Sequence, residues 1–367
     1  MNCCGKNVLD LFRRKAGELM AIPYSRTVMG LLPWYSVLVV TGIASAIWLA
    51  AREEKRLNLP GDTAVDLALL VVPCGILGAR LYYVAMSWPQ FAADPVSALY
   101  IWRGGLAIYG GVIGGSTAAW IYSHKKRISI AMVEDMIAPG LLLAQAIGRW
   151  GNYFNMEAYG PVIADQRFQF FPLGVLIPEA GGYAWRMATF FYESMWNLAG
   201  FAVLWAIRKK QDRSGHVFCW YLVIYGAGRF VIEQLRQDSL YVGTLRASQW
   251  LSLLLCSAAA WKLLAHKTEQ SPRERGFCLA CAGMWFVRWA CLDQPLAYIV
   301  LMLLAGVGGI WLLRHSRSLG LLALMIAADA AGLVLGLHGG AFAMLAHALL
   351  CSLTLTGYLM ALYMRKD

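Results

Sequence analysis

Six arginines, Arg80, Arg103, Arg149, Arg186, Arg229 and Arg236, stand at one end of successive apolar stretches, with no lysine among them. Five lie at or just past the ends of those stretches, and Arg229 lies about two helical turns inside one. A guanidinium costs about 2.5 kcal/mol or more at a bilayer centre, so such a group needs an anionic partner. Its planar fork of donors suits phosphate oxygens better than the point charge of lysine does. The chemistry expected is the holding of a phosphate headgroup at the edge of a membrane.

One stretch concentrates these groups. Tyr225, Arg229 and Glu233 recur every four residues, and Arg236 follows one turn later. On a helix they project within roughly one quadrant. Two readings stand: an internal Arg229–Glu233 ion pair that orders the helices, or a reactive stripe. A second signal is the run Gly148-Arg-Trp-Gly-Asn-Tyr-Phe-Asn-Met-Glu-Ala-Tyr-Gly160. Its glycines permit tight turns, Asn152 and Asn155 offer amide donors and acceptors, and Glu157 adds an acid. A polar surface turn is the alternative to a ligand clamp. Gly104, Gly105, Gly110, Gly111, Gly114 and Gly115 come in three pairs around Tyr109, without the Gly-Lys-Ser/Thr of a P-loop. They suit either close helix packing through Gly111 and Gly115 or close approach of a headgroup. Tyr35 reads as an interfacial aromatic, and Glu193, after Tyr192, as a partner for an arginine.

The elements that must carry these groups are membrane spans. Of 367 residues, 59% are hydrophobic and 14% charged. Mean hydropathy is +0.54, whereas a soluble domain carries about 25% charged residues. Apolar runs predict spans over 28–50, 63–87, 105–123, 133–149, 188–207, 216–235 and 246–265, then 276–292, 296–313, 319–337 and 341–364. The fold class expected is all-α, a polytopic transmembrane helical bundle. A seven-helix core (28–270) is followed by a C-terminal transmembrane extension of about four helices (271–367) and preceded by an amphipathic segment (1–27).

Alternate loops of the core carry fourteen basic residues against six, which puts the richer set in the cytoplasm and the amino terminus outside. The basic residues of 1–27 oppose that pull unless the segment lies along the surface. The arginine ends then face the outer leaflet. The net charge of +11 belongs to those cytoplasmic loops rather than to nucleic-acid binding. Nine cysteines, mostly within spans, build no disulfide framework, and Cys278 with Cys281 reads as packing before redox chemistry. No His/Cys/Asp cluster on the outer side has ligand spacing, so no metal and no cofactor is expected.

Together these residues resemble the bacterial prolipoprotein diacylglyceryl transferases. The likeness rests on Arg103-Gly-Gly-Leu-Ala-Ile-Tyr-Gly-Gly, on the 148–160 run and on Tyr225-Gly-Ala-Gly-Arg-Phe-Val-Ile-Glu-Gln-Leu-Arg236. Phe191-Tyr192-Glu193 and Val133-Glu-Asp-Met-Ile-Ala-Pro139 add to it, and it covers about 28–265. The resemblance implies seven helices in the bacterial cytoplasmic (inner) membrane, with the amino terminus outside. It implies transfer of a diacylglyceryl group from phosphatidylglycerol to the lipobox cysteine of a preprolipoprotein signal peptide, among membrane lipids. By motif position it gives catalytic roles to Arg149, Arg229, Glu233, Tyr225 and Tyr109. It gives phosphatidylglycerol contacts to Arg149, Asn152, Asn155, Glu157, Gly160, Arg229, Tyr35, Arg80 and Arg236.

This chain departs from the family at three places. Tyr109 stands where the family often has histidine, and a phenol with a pKa of about 10 is a poor base at neutral pH. Glu233, or a thiol acidified by guanidinium groups with water as acceptor, takes that role instead. Arg186 lies near another family histidine, and 276–364 has no counterpart. Arg288, Asp329 and His347 in that tail suggest structural pairing. The competing classes are an anionic-solute transporter, which predicts inverted repeats and mid-membrane charge, and a catalytically silent lipid-binding relative.

Overall fold

The computed structural model describes residues 26–267, apart from 180–181, 212, 237–240 and 243–244. The expected spans beyond 267, with Cys278, Cys281, Arg288, Asp329 and His347, lie outside the described residues, as does nearly all of the expected amphipathic segment. The described chain is mostly helical. Its long helices are α1 (Trp34–Arg56), α2 (Thr63–Met86), α3 (Ile108–Lys126), α4 (Ile130–Asn155), α5 (Thr189–Ile207), α6 (His216–Glu233) and α7 (Ala247–Lys267).

Of these, α1, α2 and α4 are long and apolar enough to cross a membrane. The helices α5 and α6 carry Glu193, Asn197, Arg229 and Glu233 among their apolar residues. Large apolar side chains such as Leu69, Leu81, Val112, Trp120 and Leu254 are exposed while Glu53, Asp135, Glu193 and Glu233 are buried. That inversion of the soluble pattern marks a membrane protein.

The helical expectation holds for the described residues, where three short two-stranded antiparallel sheets join the helices. They pair β1 (Thr27–Val28) with β2 (Leu32–Pro33), β3 (Gly174–Glu179) with β4 (Gly182–Met187), and β5 (Tyr241–Val242) with β6 (Leu245–Arg246). The β3–β4 hairpin forms because Val175 and Ile177, two residues apart, bury one face among Tyr153, Ala188 and Phe190. The β1–β2 turn, with Met29 and Gly30 at positive φ, delays the first helix to Trp34 from the expected residue 28.

The described chain divides into two compact units. One draws on Ile43–Leu141 and Lys210–Phe218, the other on the segments up to Gly42, Leu142–Lys209 and from Cys219 onward. In the first, α2 and α3 meet through glycine. A Cβ at Gly78 would stand 3.0 Å from Gly114 Cα, and one at Gly114 would stand 3.2 Å from Gly78 Cα, so the two backbones touch. The packing expected of Gly111 and Gly115 is thus tightest one residue earlier, at Gly110 and Gly114. Asp135, from the Val133–Pro139 run, is buried and accepts from the backbone N–H groups of Gly215 (2.6 Å) and Phe218 (2.8 Å). A carboxylate there satisfies orphan donors at the start of α6 and favours the positive end of its dipole. Glu54 does the same for α2, accepting from Ala64 N–H at 2.6 Å.

Candidate active site

In the other unit, α4 ends in a Schellman motif. Met156 N–H donates to the Tyr153 carbonyl at 3.1 Å and Glu157 N–H to the Asn152 carbonyl at 3.0 Å. The left-handed position of that motif usually belongs to glycine, yet Met156 holds it at φ 55, and Ala158 follows at φ 56. Such backbone costs about 1–2 kcal/mol per residue and persists only where surroundings fix it. Here Thr189 Oγ1 donates to the Ala158 carbonyl, and Gly160 N–H donates to the Met187 carbonyl at 2.9 Å. Gly160 has no room for a side chain: a Cβ would come within 2.9 Å of Met187 Cβ. Its part in the site is therefore close backbone packing that fixes the loop.

Aromatic rings brace the same region. Trp150 lies edge-on to Phe190 (5.6 Å) and Phe191 (6.0 Å) and donates its indole N–H to Ser194 Oγ at 3.2 Å. Ser194 donates in turn to the Ala146 carbonyl at 2.8 Å. Trp34 stacks on Phe154, and the Tyr35 ring rests on Gly151, where a Cβ would lie 2.7 Å from it. Trp196 donates its indole N–H to the Ile224 carbonyl at 2.8 Å, tying α5 to α6.

These contacts bring four charges together. Arg149 Nη2 reaches Glu193 Oε1 at 2.7 Å, and Arg229 Nη1 reaches Glu193 Oε2 at 3.4 Å. Arg229 Nη2 meets Glu233 Oε2 at 2.6 Å, one turn along α6. Glu193 is 3% exposed, so a single buried carboxylate holds guanidinium groups from two helices. The network carries two positive and two negative charges, which is how an apolar interior tolerates it. A guanidinium offers five N–H donors, and these ion pairs engage one nitrogen of Arg149 and two of Arg229. The remaining donor edges suit a further anion. Tyr225, one turn before Arg229, stacks on Tyr221 at 5.8 Å, and Gln145 donates to the Tyr221 hydroxyl at 3.0 Å.

The other expected residues fare differently. Asn152 is half-buried at the end of α4. Asn155 and Glu157 are exposed and bond one another at 3.3 Å, apart from the four-charge network. Arg186 pairs with Glu179, donates to the Gly160 carbonyl at 3.3 Å and lies over the Tyr159 ring, so it braces the loop. Arg236 lies just past α6, its backbone N–H on the Glu233 carbonyl at 3.1 Å. In the same loop as the hairpin, the Arg167 side chain and backbone N–H hold the Asp165 carboxyl below the usual carboxylate range; that pair is exposed and contributes little.

Arg80, Arg103 and Tyr109 belong to the first unit. Arg80 is buried and donates to four carbonyls, Ser97 (2.9 Å), Ala98 (2.7 Å), Gly104 (2.7 Å) and Gly105 (3.0 Å). Gly104 and Gly105 sit at φ 85 and φ 73, and a Cβ on Gly105 would come within 2.8 Å of Arg80 Nη1. Arg80, expected at the headgroup, clamps the 94–105 loop with four of its five N–H donors on backbone carbonyls. Arg103 lies over the Tyr100 ring at 4.7 Å. Tyr109 opens α3, 41% exposed, with its ring 6.3 Å from that of Tyr82.

Glu193, expected as a partner for an arginine, is the buried carboxylate that joins Arg149 to Arg229. Its signal was available, since an acid inside an apolar span needs a cationic partner.

Helices that expose apolar surface and bury a balanced arginine–carboxylate centre define an integral membrane protein. Residues 27–265 match the model of the family described as prolipoprotein diacylglyceryl transferase, and the chain belongs to that family. It is 41% identical over 239 residues to the phosphatidylglycerol–prolipoprotein diacylglyceryl transferase of Streptococcus agalactiae, which spans 65% of this chain and 92% of that protein. The protein of that name from Enterococcus faecalis is 44% identical over 231 residues, 62% of this chain and 83% of the relative. The one from Bacillus cytotoxicus is 41% identical over 248 residues, 65% and 90% respectively.

Proposed function

We infer that this chain is a phosphatidylglycerol–prolipoprotein diacylglyceryl transferase. It moves the diacylglyceryl group of phosphatidylglycerol to a cysteine thiol of a prolipoprotein. The cysteine sulfur bonds the glyceryl carbon as the carbon–oxygen bond to phosphate breaks, and the electron pair leaves with glycerol phosphate. The observation that carries this reading is family membership across 27–265, joined to the shared grip of Arg149 and Arg229 on Glu193.

In this reading the free donor edges of Arg149 and Arg229 hold the phosphodiester and stabilise the charge that develops on the leaving group. Glu193 sets their spacing. A thiolate is the nucleophile, and guanidinium groups lower a free thiol pKa of about 8.5. Glu233, or water beside it, takes the thiol proton, since Tyr109 is a phenol. Asn152, Asn155, Glu157, Tyr35 and Tyr225 line the approach of the two substrates, and Arg236 contributes charge at the rim. The acceptor cysteine lies in the lipobox of a signal peptide. The protein sits in the bacterial cytoplasmic membrane as a seven-helix core with its amino terminus outside and its site toward the outer leaflet, and the four spans beyond 275 are an addition to that core.

Incubation of the full chain with phosphatidylglycerol and a lipobox peptide tests this. A diacylglyceryl mass gain on the peptide cysteine, with release of glycerol phosphate, is the expected result. Folded protein that binds the lipid and leaves the peptide unmodified overturns it in favour of a silent relative.

A further inference from the structure

A second polar layer lies one helical turn, about 6 Å, from the four-charge network toward the helix middles. Asn197 follows Glu193 by four residues on α5, and Gln145 precedes Arg149 by four on α4. Asn197 is 1% exposed, and neither its Nδ2 nor its Oδ1 has a hydrogen-bond partner; the Gln145 Oε1 is likewise buried and unpaired. The register of the helices brackets Asn197 from both sides. Ser194 bonds Ala146, and a Cβ on Gly200 would touch Leu142, so Asn197 falls between those levels of α4. Glu193 meets Arg229, and a Cβ on Gly200 would press on Ile224 Cγ2, so it falls between those levels of α6. A Cβ on Gly148, three residues from Gln145 along α4, would meet no atom within 4 Å. Leaving a buried amide unpaired costs about 1–3 kcal/mol for each group. Three such atoms, each one turn from the arginine–carboxylate network, leave this layer with unmet capacity for a polar group.

We propose that Asn197 and Gln145 form a subsite for the peptide backbone of the acceptor polypeptide beside its cysteine. The identity follows from counting donors and acceptors. The unpaired atoms are two carboxamide oxygens and one amide nitrogen. An acyl ester has acceptors alone and leaves both oxygens unpaired, whereas a peptide group supplies an N–H and a C=O at once. Glycerol hydroxyls also donate, but with the phosphate at the arginines they point away from the acyl chains and so away from this layer. The proposal rests on the transfer reading above.

The test uses the full chain and a lipobox peptide in which single backbone amides flanking the cysteine are replaced by esters. One position should raise the peptide KM about tenfold, the equivalent of one hydrogen bond, with the KM for phosphatidylglycerol and kcat unchanged. Asn197→Leu should raise the KM for the all-amide peptide by a similar factor and abolish the effect of that ester. The variant should not unfold more readily than the parent, because it removes an unpaired amide. A shift in the phosphatidylglycerol KM in place of the peptide KM assigns the layer to the lipid and overturns the proposal. Indifference of the parent enzyme to every ester overturns it as well, whether or not Asn197→Leu folds. Failure of the parent to modify the all-amide peptide overturns the transfer reading itself.

Discussion

Arg149 on α4 and Arg229 on α6 grip different oxygens of the Glu193 carboxylate, at 2.7 Å and 3.4 Å. Two guanidinium groups brought this close in an apolar interior repel unless something negative stands between them. Glu193 supplies that charge in the resting protein. A phosphodiester arriving at the same arginines brings a second anion, so Glu193 acts as a positioning residue whose loss affects stability and transfer together.

Glu193→Ala should therefore destabilise the protein by about 3–5 kcal/mol, the usual cost of stranding a buried charge. Thermal unfolding in detergent would register it as a large drop in Tm, with transfer lost. Glu193→Gln keeps the shape and should retain more of the Tm than of the activity. An alanine variant with parental Tm and transfer would remove Glu193 from the mechanism.

Arg229 spans two carboxylates, Glu193 and Glu233, with separate nitrogens. Lysine offers one ammonium centre in place of that planar fork and cannot meet the two carboxylates at separate nitrogens. Arg229→Lys should lower kcat about 100-fold or more, in line with the loss of a preorganised donor to a developing oxyanion. Quantifying modified peptide by mass spectrometry decides it; a lysine enzyme within threefold of the parent would mean that charge alone suffices.

Arg80 looks equivalent to Arg149 in the chain but spends its guanidinium on four backbone carbonyls. Arg80→Ala strands those acceptors and should cost roughly 3 kcal/mol or more. Its KM for phosphatidylglycerol should stay at the parental value below the melting transition. A selective rise in that KM at unchanged Tm would instead place Arg80 at the headgroup.

Met156 occupies a left-handed position that glycine fills without strain. Met156→Gly should raise stability by about 0.5–1 kcal/mol, the relief of strain less the backbone entropy of glycine. Urea titration in mild detergent would show a higher midpoint. A lower midpoint would mean that the methionine side chain contributes more than its backbone costs.

The family match ends at residue 265. A chain truncated after Lys267 should still transfer diacylglyceryl within a few-fold of the parent rate. Complete loss in a folded truncation would make the remaining hundred or so residues part of the site.

Much of this arrangement was legible in residue order. The helices α2, α5, α6 and α7 begin within a residue of the spans expected from hydropathy, because burial in lipid leaves that pattern in every turn. Tyr225, Arg229 and Glu233 announced themselves by their four-residue spacing, since a helix turns such spacing into one face. The β3–β4 hairpin was missed because a short alternation of Val175 and Ile177 is faint beside long apolar runs. Asp135 gave no hint that its partners are Gly215 and Phe218, eighty residues onward.

What residue order determined by itself is local: which segments are helical and apolar, which helix faces carry charge, and which family signature they spell. What tertiary structure alone decided is pairing. Arginines of the same type and apparent depth part company only when the helices pack, Arg149 and Arg229 meeting a shared carboxylate and Arg80 meeting backbone. The reason is physical: an ion pair or hydrogen bond depends on a few ångströms of distance between atoms, and separation along the chain carries no information about that distance once helices have folded against each other.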